Sequence, residues 1–290
     1  MKVGAILQID DYYEGAGPIP AYATMRTLAL QAEEAGFDSL WVADHLLYRP
    51  DESTPWIAET QAVWECWTIL AALAEATTRV ELGTWVLCTQ FRNPALLAKM
   101  AATLDEVSGG RIILGLGAGW HRPEFDAFGI PWDHKVDRFE EALRIIAPLL
   151  REGTVDFQGT YYRAARCELA PRGPRPRGLP ILIGAKRPRM LRLAARYADS
   201  WNHSGPYSAF PTSRAELLAG LDAACAEIGR DPATLEVTAS LRAIYPAAGH
   251  LSAQWDTDAT KPGEVTKMLR AYEALGVSHV FCEFLPATPA

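Results

Sequence analysis

The sequence predicts an α/β fold, a closed (β/α)₈ or TIM barrel, and three observations predict it. Short β-type runs alternate strictly with longer amphipathic stretches along the whole chain. There are eight such runs and seven helical stretches, a pattern that favours a parallel barrel with right-handed crossovers over a doubly wound open sheet. The length, 290 residues, suits a barrel of the usual size, about 250 residues. One step is out of proportion: about 70 residues separate the fourth strand from the fifth. An insertion covering much of 117–180 is expected there, within a single domain spanning 1–290.

The elements follow from local signals. A first strand at 3–7 leads to a helix over 21–35, which Gly36 closes, and to a second strand at 39–42. A long loop bearing Trp and Pro then reaches a helix near 64–76 and a third strand at 80–84. Asn93 is placed to cap the next helix and Pro94 to open it, with the helix running to about 107. The Ser108-Gly109-Gly110 turn feeds a fourth strand at 111–116, and a helix covers 137–151. Within the insertion, 154–157 and 160–163 flank Gln158-Gly159 as a small hairpin. A segment rich in Pro, Arg and Gly, 171–180, carries the chain to a fifth strand at 181–183. Pro188 opens a helix to about 198, and a short sixth strand follows at 199–202. Residues 213–228 are helical, 235–240 form the seventh strand, 262–275 form a helix stopped by Gly276, and 279–284 form the eighth strand. With so little sequence after that strand, the closing helix is expected to be missing or vestigial.

Composition narrows the function. Apolar residues make up 49% and charged residues 22%, ordinary globular usage that leaves no room for intrinsic disorder. Lys and Arg number 28 against 35 Asp and Glu, a net charge of -7. That balance argues against a nucleic-acid partner, which needs a basic face, but leaves room for a local basic pocket. The five cysteines, Cys66, Cys88, Cys167, Cys225 and Cys282, lie far apart with no CxxC spacing and read as reduced core thiols. The N-terminal apolar run is too short for a signal peptide, and no stretch approaches the roughly 18 apolar residues of a membrane span. A cytoplasmic protein is expected. No HExxH motif or paired-Cys spacing occurs, so no metal site is expected.

In a barrel, chemistry sits at the C-terminal ends of the strands. After the second strand comes Asp44-His45, the sharpest polar pair: an imidazole shuttles a proton near neutrality, and an adjacent carboxylate orients a ligand or tunes the site. The alternative is a loop pair that only hydrogen-bonds backbone. Gly115-Leu116-Gly117-Ala118-Gly119 fails the GxGxxG fingerprint, because Trp120 or Arg122 stands where its third glycine should be. The stretch reads instead as a strand end where small residues let a flat ligand approach the backbone. Gly184-Ala185-Lys186-Arg187-Pro188-Arg189 places cations beside a helix start, an anion site within an acidic protein, with ordinary surface charge as the alternative. Trp56, Trp85, Trp120, Trp132 and Trp201 lie in loops or at strand ends and are candidates to wall a planar ligand, whereas Trp64 and Trp67 read as helix packing residues.

Five stretches in order resemble the luciferase-like monooxygenase superfamily, which includes flavin-dependent monooxygenases and F420-dependent oxidoreductases. They are Glu33-Glu34-Ala35-Gly36-Phe37-Asp38-Ser39-Leu40-Trp41-Val42-Ala43-Asp44-His45; Leu82-Gly83-Thr84 through Arg92-Asn93-Pro94-Ala95; Ser108-Gly109-Gly110-Arg111 through Trp120, with Pro123-Glu124-Phe125; Pro180 to Gly184; and Ala194 to Asn202. The resemblance implies a barrel mouth holding FMN or the deazaflavin F420. It implies a non-prolyl cis peptide at Trp85-Val86, with Thr84, Trp85 and Val86 beside the ring and Gly117 and Gly119 near it. Gly184, Ala185, Lys186 and Arg187 match the cofactor-phosphate segment, though the family often has small residues where the last three stand. Asp44 would contact the ring's polar edge. His45 would carry the proton that accompanies hydride transfer, and Glu124 joins these two as a catalytic residue.

The Asp-His pair resembles the F420 branch more than the FMN branch. The implied function is hydride transfer between F420 and a small organic substrate. An FMN-dependent monooxygenase using reduced flavin and oxygen is the alternative, and a barrel that binds flavin without turnover is a third reading. Trp56, Trp85 and Trp120, with the 46–63 loop and the insertion, point to an apolar or aromatic substrate. The family's usual homodimer is the expected assembly.

Overall fold

The fold rests on a ring of eight parallel strands, and local signals start and stop most of its elements. The structure is a computed structural model that describes residues 1–10, 19–52, 54, 57–203, 214–244 and 257–285. In chain order its elements begin with β1 (Lys2–Ile6), α1 (Tyr22–Glu34), β2 (Ser39–Val42), α2 (Cys66–Ala76), β3 (Glu81–Thr84), β4 (Leu87–Cys88), α3 (Pro94–Val107) and β5 (Ile112–Gly117). The insertion contributes α4 (Arg122–Ala127), α5 (Lys135–Arg151) and an antiparallel hairpin of β6 (Thr154–Gln158) and β7 (Arg163–Glu168). Then come β8 (Ile181–Gly184), α6 (Pro188–Tyr197), β9 (Ser200–His203), α7 (Arg214–Glu227), β10 (Glu236–Ile244), β11 (Thr257–Asp258), α8 (Pro262–Ala274) and β12 (His279–Leu285).

The ring runs β1-β2-β3-β5-β8-β9-β10-β12 and returns to β1, where Lys2 faces His279 and Ile6 faces Glu283. It is the expected closed barrel. The Asn93 side chain accepts from the Ala95 and Leu96 amides, and Pro94 occupies the first turn of α3, where its missing N–H costs nothing. Gly36 and Gly276 end their helices at φ of 92° and 82°, the left-handed region open to glycine.

Strand alternation splits the core in two. Outward side chains such as Leu40, Val42, Leu82 and Leu114 pack under the helices, against Leu70, Leu97 and Ile145 among others. Inward ones fill the barrel: Ile6, Trp41, Leu182 and Phe281 form one buried cluster, with the Trp41 and Phe281 rings stacked at 3.9 Å. Glycine makes room for that indole. A Cβ on Gly83 would stand 2.2 Å from Trp41 Cζ3, and one on Gly4 would stand 2.8 Å from Trp41 Nε1.

Several elements differ from expectation. The second hairpin strand begins at Arg163 rather than at residue 160, because the Glu141 carboxylate on α5 accepts from the Thr160, Tyr161 and Tyr162 amides at 2.7, 2.8 and 3.0 Å. Those three amides are therefore held in the turn. Trp64 lies outside the helix, since Glu65 caps α2 through the Trp67 and Thr68 amides. Its ring is 46% exposed and donates to the Pro20 carbonyl, so it is no packing residue. The short elements α4, β4 and β11 were not foreseen. The expected loss of the closing helix concerns 286–290, outside the described residues. No described helix is long and apolar enough to cross a membrane.

Candidate active site

A cavity of about 720 Å³ opens at the C-terminal ends of the barrel strands, where this fold builds its sites. Ile6, Val86, Gly117 and Gly184 contribute apolar surface, and His45, Tyr48, Trp85 and Trp120 stand along its wall.

The segment after β3 shapes the floor. The Trp85-Val86 peptide bond is cis, as the resemblance implies. Thr84 Oγ1 donates to the Gly115 carbonyl at 2.8 Å and accepts the Gly115 N–H at 2.9 Å. A Cβ on Gly115 would stand 1.9 Å from the Thr84 carbonyl oxygen, so only glycine lets the two backbones meet. At Gly117 and Gly119 protein atoms take up the space a side chain would occupy. A Cβ on Gly117 would meet Val86 Cγ2 at 2.7 Å, and one on Gly119, at φ 74°, would meet Phe125 Cζ at 2.6 Å and Cys88 Sγ at 2.7 Å. Both glycines line the cavity, but their smallness serves packing. Thr84 is fully buried, outside the cavity wall, and holds the segment from below. Trp85 Nε1 donates to Asn202 Oδ1 at 3.3 Å, while Asn202 Nδ2 donates to Thr238 Oγ1 at 2.9 Å, which fixes the amide's orientation.

Asp44 lines the cavity, and other protein groups hold its carboxylate. Its buried carboxylate receives both Arg92 amino groups, at 2.8 and 3.1 Å, and the Cys88 N–H at 2.9 Å. Arg92 also donates to Glu65, the cap of α2. Burial pushes the Asp44 carboxyl above its ordinary value against the pull of Arg92, and Asp44 in turn holds the guanidinium's proton more tightly than usual. With these oxygens engaged, Asp44 braces the backbone just after Val86 from a place in the cavity wall. Arg92 escaped the sequence reading because its partners lie 48 and 27 residues away.

His45 and Glu124 do come together. His45 Nδ1 lies 3.0 and 3.2 Å from the two Glu124 oxygens, which only accept, so Nδ1 carries the donated hydrogen. Glu124 also takes the Leu46 N–H at 2.9 Å, and its side chain is 1% exposed. Glu124 thus sets the tautomer of His45 and leaves Nε2 as the nitrogen able to take up a proton. Tyr48 and Trp120 pack on the His45 ring, with centroids at 4.4 and 5.4 Å. The fully buried His121 supports this group by accepting the Arg49 N–H at Nε2, 3.0 Å away. Burial lowers its pKa.

Lys186 and Arg187 line the cavity beside α6, whose first turn has no side-chain cap and no acidic residue. Arg189 does not belong to this corner, because Asp137 and Glu140 bind it at 2.6 and 2.8 Å. Ala185 and Gly184 are in the wall as expected. Among the tryptophans, Trp85 and Trp120 reach the cavity, whereas Trp201 is buried with its N–H on the Ala185 carbonyl and Trp132 packs edge-on against Phe125. Trp56 lies outside the described residues. Lys135, which no sequence signal marked, also lines the cavity.

The chain is similar to several known proteins. A phthiodiolone/phenolphthiodiolone dimycocerosates ketoreductase of Mycobacterium sp. strain JLS is 38% identical over 230 residues, 73% of this chain and 59% of that protein. An F420-dependent glucose-6-phosphate dehydrogenase of Amycolatopsis mediterranei is 37% identical over 179 residues, 60% of this chain and 50% of the relative. The chain thus matches between half and three-fifths of the length of these curated relatives. The solved structure of an F420-dependent secondary alcohol dehydrogenase in complex with an F420-acetone adduct superimposes with a TM-score of 0.77 at 20% identity. That match covers 100% of this chain and 94% of the other, and at this identity it speaks to the fold. The sequence profile of the luciferase-like monooxygenase family matches residues 1–254, and this chain belongs to that family.

Proposed function

We propose that the protein is an F420-dependent oxidoreductase acting on a small organic alcohol or carbonyl compound. One observation carries the reading: the cavity wall presents an imidazole whose Nδ1 is held by a buried carboxylate, beside the Trp85-Val86 segment. Relatives named for F420-dependent dehydrogenation support it.

The residues present fit the cofactor. Val86, Ile6 and Gly184 give a planar ring an apolar bed, and Lys186 and Arg187 give a phosphate two cations. When bound, F420 supplies the hydride exchange at the substrate carbon. His45 Nε2 takes the hydroxyl proton when an alcohol is oxidised and returns it to the oxygen when a carbonyl is reduced. Glu124 keeps the ring in the tautomer that leaves Nε2 able to do so and stabilises the imidazolium that forms. Arg92 and Asp44 hold the backbone of 85–88 in place. Tyr48, Trp85 and Trp120 exclude water and favour an apolar or aromatic substrate.

Titration of the purified protein with F420 and with FMN, followed by chromophore fluorescence, tests the reading. Saturable F420 binding is expected. Tight FMN binding with no response to F420 would instead favour the flavin monooxygenase.

A further inference from the structure

Lys135 is the first residue of α5, a 17-residue helix, and an odd choice for that position. A helix N-terminus carries partial positive charge, so lysine there opposes the dipole. Its ammonium is half-buried in the cavity wall. It donates to the Gly119 carbonyl at 3.2 Å and lies 3.8 Å from the centroid of the Trp132 ring. Neither partner bears a negative charge. Among the described residues no carboxylate lies within 4.0 Å of Lys135, Lys186 or Arg187, all three of which line the cavity.

The contrast with Arg189 is informative. Arg189, two residues after Arg187, is bound by Asp137 and Glu140, and Asp137 is two residues after Lys135. Those ion pairs tie the start of α6 to the start of α5. They use the nearby carboxylates for fastening and leave the cavity-facing cations without a counter-ion among the described residues. In a chain of net charge -7, three cations along one cavity with no carboxylate partner among the described residues make a place for an anion. Desolvating an ammonium is costly unless a ligand supplies the opposite charge.

We propose that Lys135, reaching in from the insertion, is an anion-binding residue that completes a corner with Lys186 and Arg187 and pairs with the phosphoryl-bearing tail of the bound cofactor. The identity of that cofactor rests on the F420 reading; the charge argument does not. In the free protein the Gly119 carbonyl and the Trp132 ring hold the ammonium, and binding replaces these neutral partners with a charged one. The insertion would thereby contribute to cofactor affinity as well as shaping the substrate side.

The test uses two pairs of chromophores that differ in the phosphoryl-bearing tail: FMN with riboflavin, and F420 with its phosphate-free deazaflavin. The full-length protein and its Lys135→Met variant are titrated with each. In whichever pair the wild type binds, the substitution should weaken the phosphorylated member about tenfold, the scale of one charge-assisted hydrogen bond. The phosphate-free member should change less than twofold, Lys135→Arg should restore most of the loss, and the salt dependence of binding should become shallower. Equal weakening of both members would make Lys135 a packing residue and overturn the proposal, as would no weakening of either. Binding in the FMN pair alone would sink the F420 reading yet leave the Lys135 contrast legible. Binding of neither pair would overturn both. Should Lys135→Met fail to fold, Lys135→Gln gives the same readout.

Discussion

His279 should make this barrel sensitive to mild acid. The residue is 4% exposed at the start of β12, inside a buried chain of hydrogen bonds. Trp41 Nε1 donates to Ser39 Oγ at 2.7 Å, and an indole N–H can only donate. His279 Nε2 lies 2.7 Å from Ser39 Oγ, and in the tautomer that leaves Nε2 bare it accepts the hydroxyl hydrogen. A protonated His279 would place a charge in a dry interior and turn Nε2 into a donor toward that hydroxyl. Burial, followed by the charge of Lys2, pushes its pKa down to about 4, with Asp38 opposing. A group whose folded pKa is depressed contributes stability above its unfolded pKa and loses it on acidification. The loss should begin near pH 6.5, the ordinary value, and be complete below about 4. At about 1.4 kcal/mol for each pH unit, the total is about 3 kcal/mol. Urea unfolding of the wild type and of His279→Asn, each from pH 7 to pH 4, isolates this contribution. The wild-type midpoint should fall toward that of the variant as the pH drops. Parallel curves across that window would refute the argument.

Four substitutions at the site have definite expected outcomes. His45→Ala should retain cofactor affinity and lose turnover by about 10²- to 10⁴-fold, and Glu124→Gln should lower kcat with little change in cofactor affinity; steady-state kinetics beside a fluorescence titration check both. Arg92→Leu strands the buried Asp44 carboxylate and should cost about 3–5 kcal/mol near neutrality. That loss should shrink on acidification, because a protonated Asp44 needs no cation; denaturant midpoints at two pH values read it. Gly115→Ala drives a Cβ to within 1.9 Å of the Thr84 carbonyl. It should destabilise by about 1–3 kcal/mol and weaken cofactor binding, and an unchanged melting temperature would contradict the packing described.

Much of the barrel was legible because its signals are local. The Asn93 cap, the terminal glycines 36 and 276, and Pro188 at the start of α6 each act within a turn of where they stand. The hairpin shows the limit: its turn residues were misplaced because the carboxylate that holds them, Glu141, lies about 20 residues upstream on another element. The site divides in the same way. Asp44 and His45 were marked by their position after a strand, but the contacts that hold them were not. Arg92 claims the first and Glu124, 79 residues distant, engages the second.

The sequence alone determined the alternation of strands and helices, the count of eight that closes the ring, the family, and the end of the barrel where the polar residues gather. Each of these depends on periodicity and on short stretches read within a turn or a strand. Tertiary structure decided which charge meets which. It turned Asp44 into a brace, withdrew Arg189 from the cavity, filled the space at Gly117 and Gly119 with protein atoms, and brought Lys135 to the wall. The reason is physical: hydrogen bonds and ion pairs depend on distances of about 3 Å between side chains, and those distances exist only once the ring has closed.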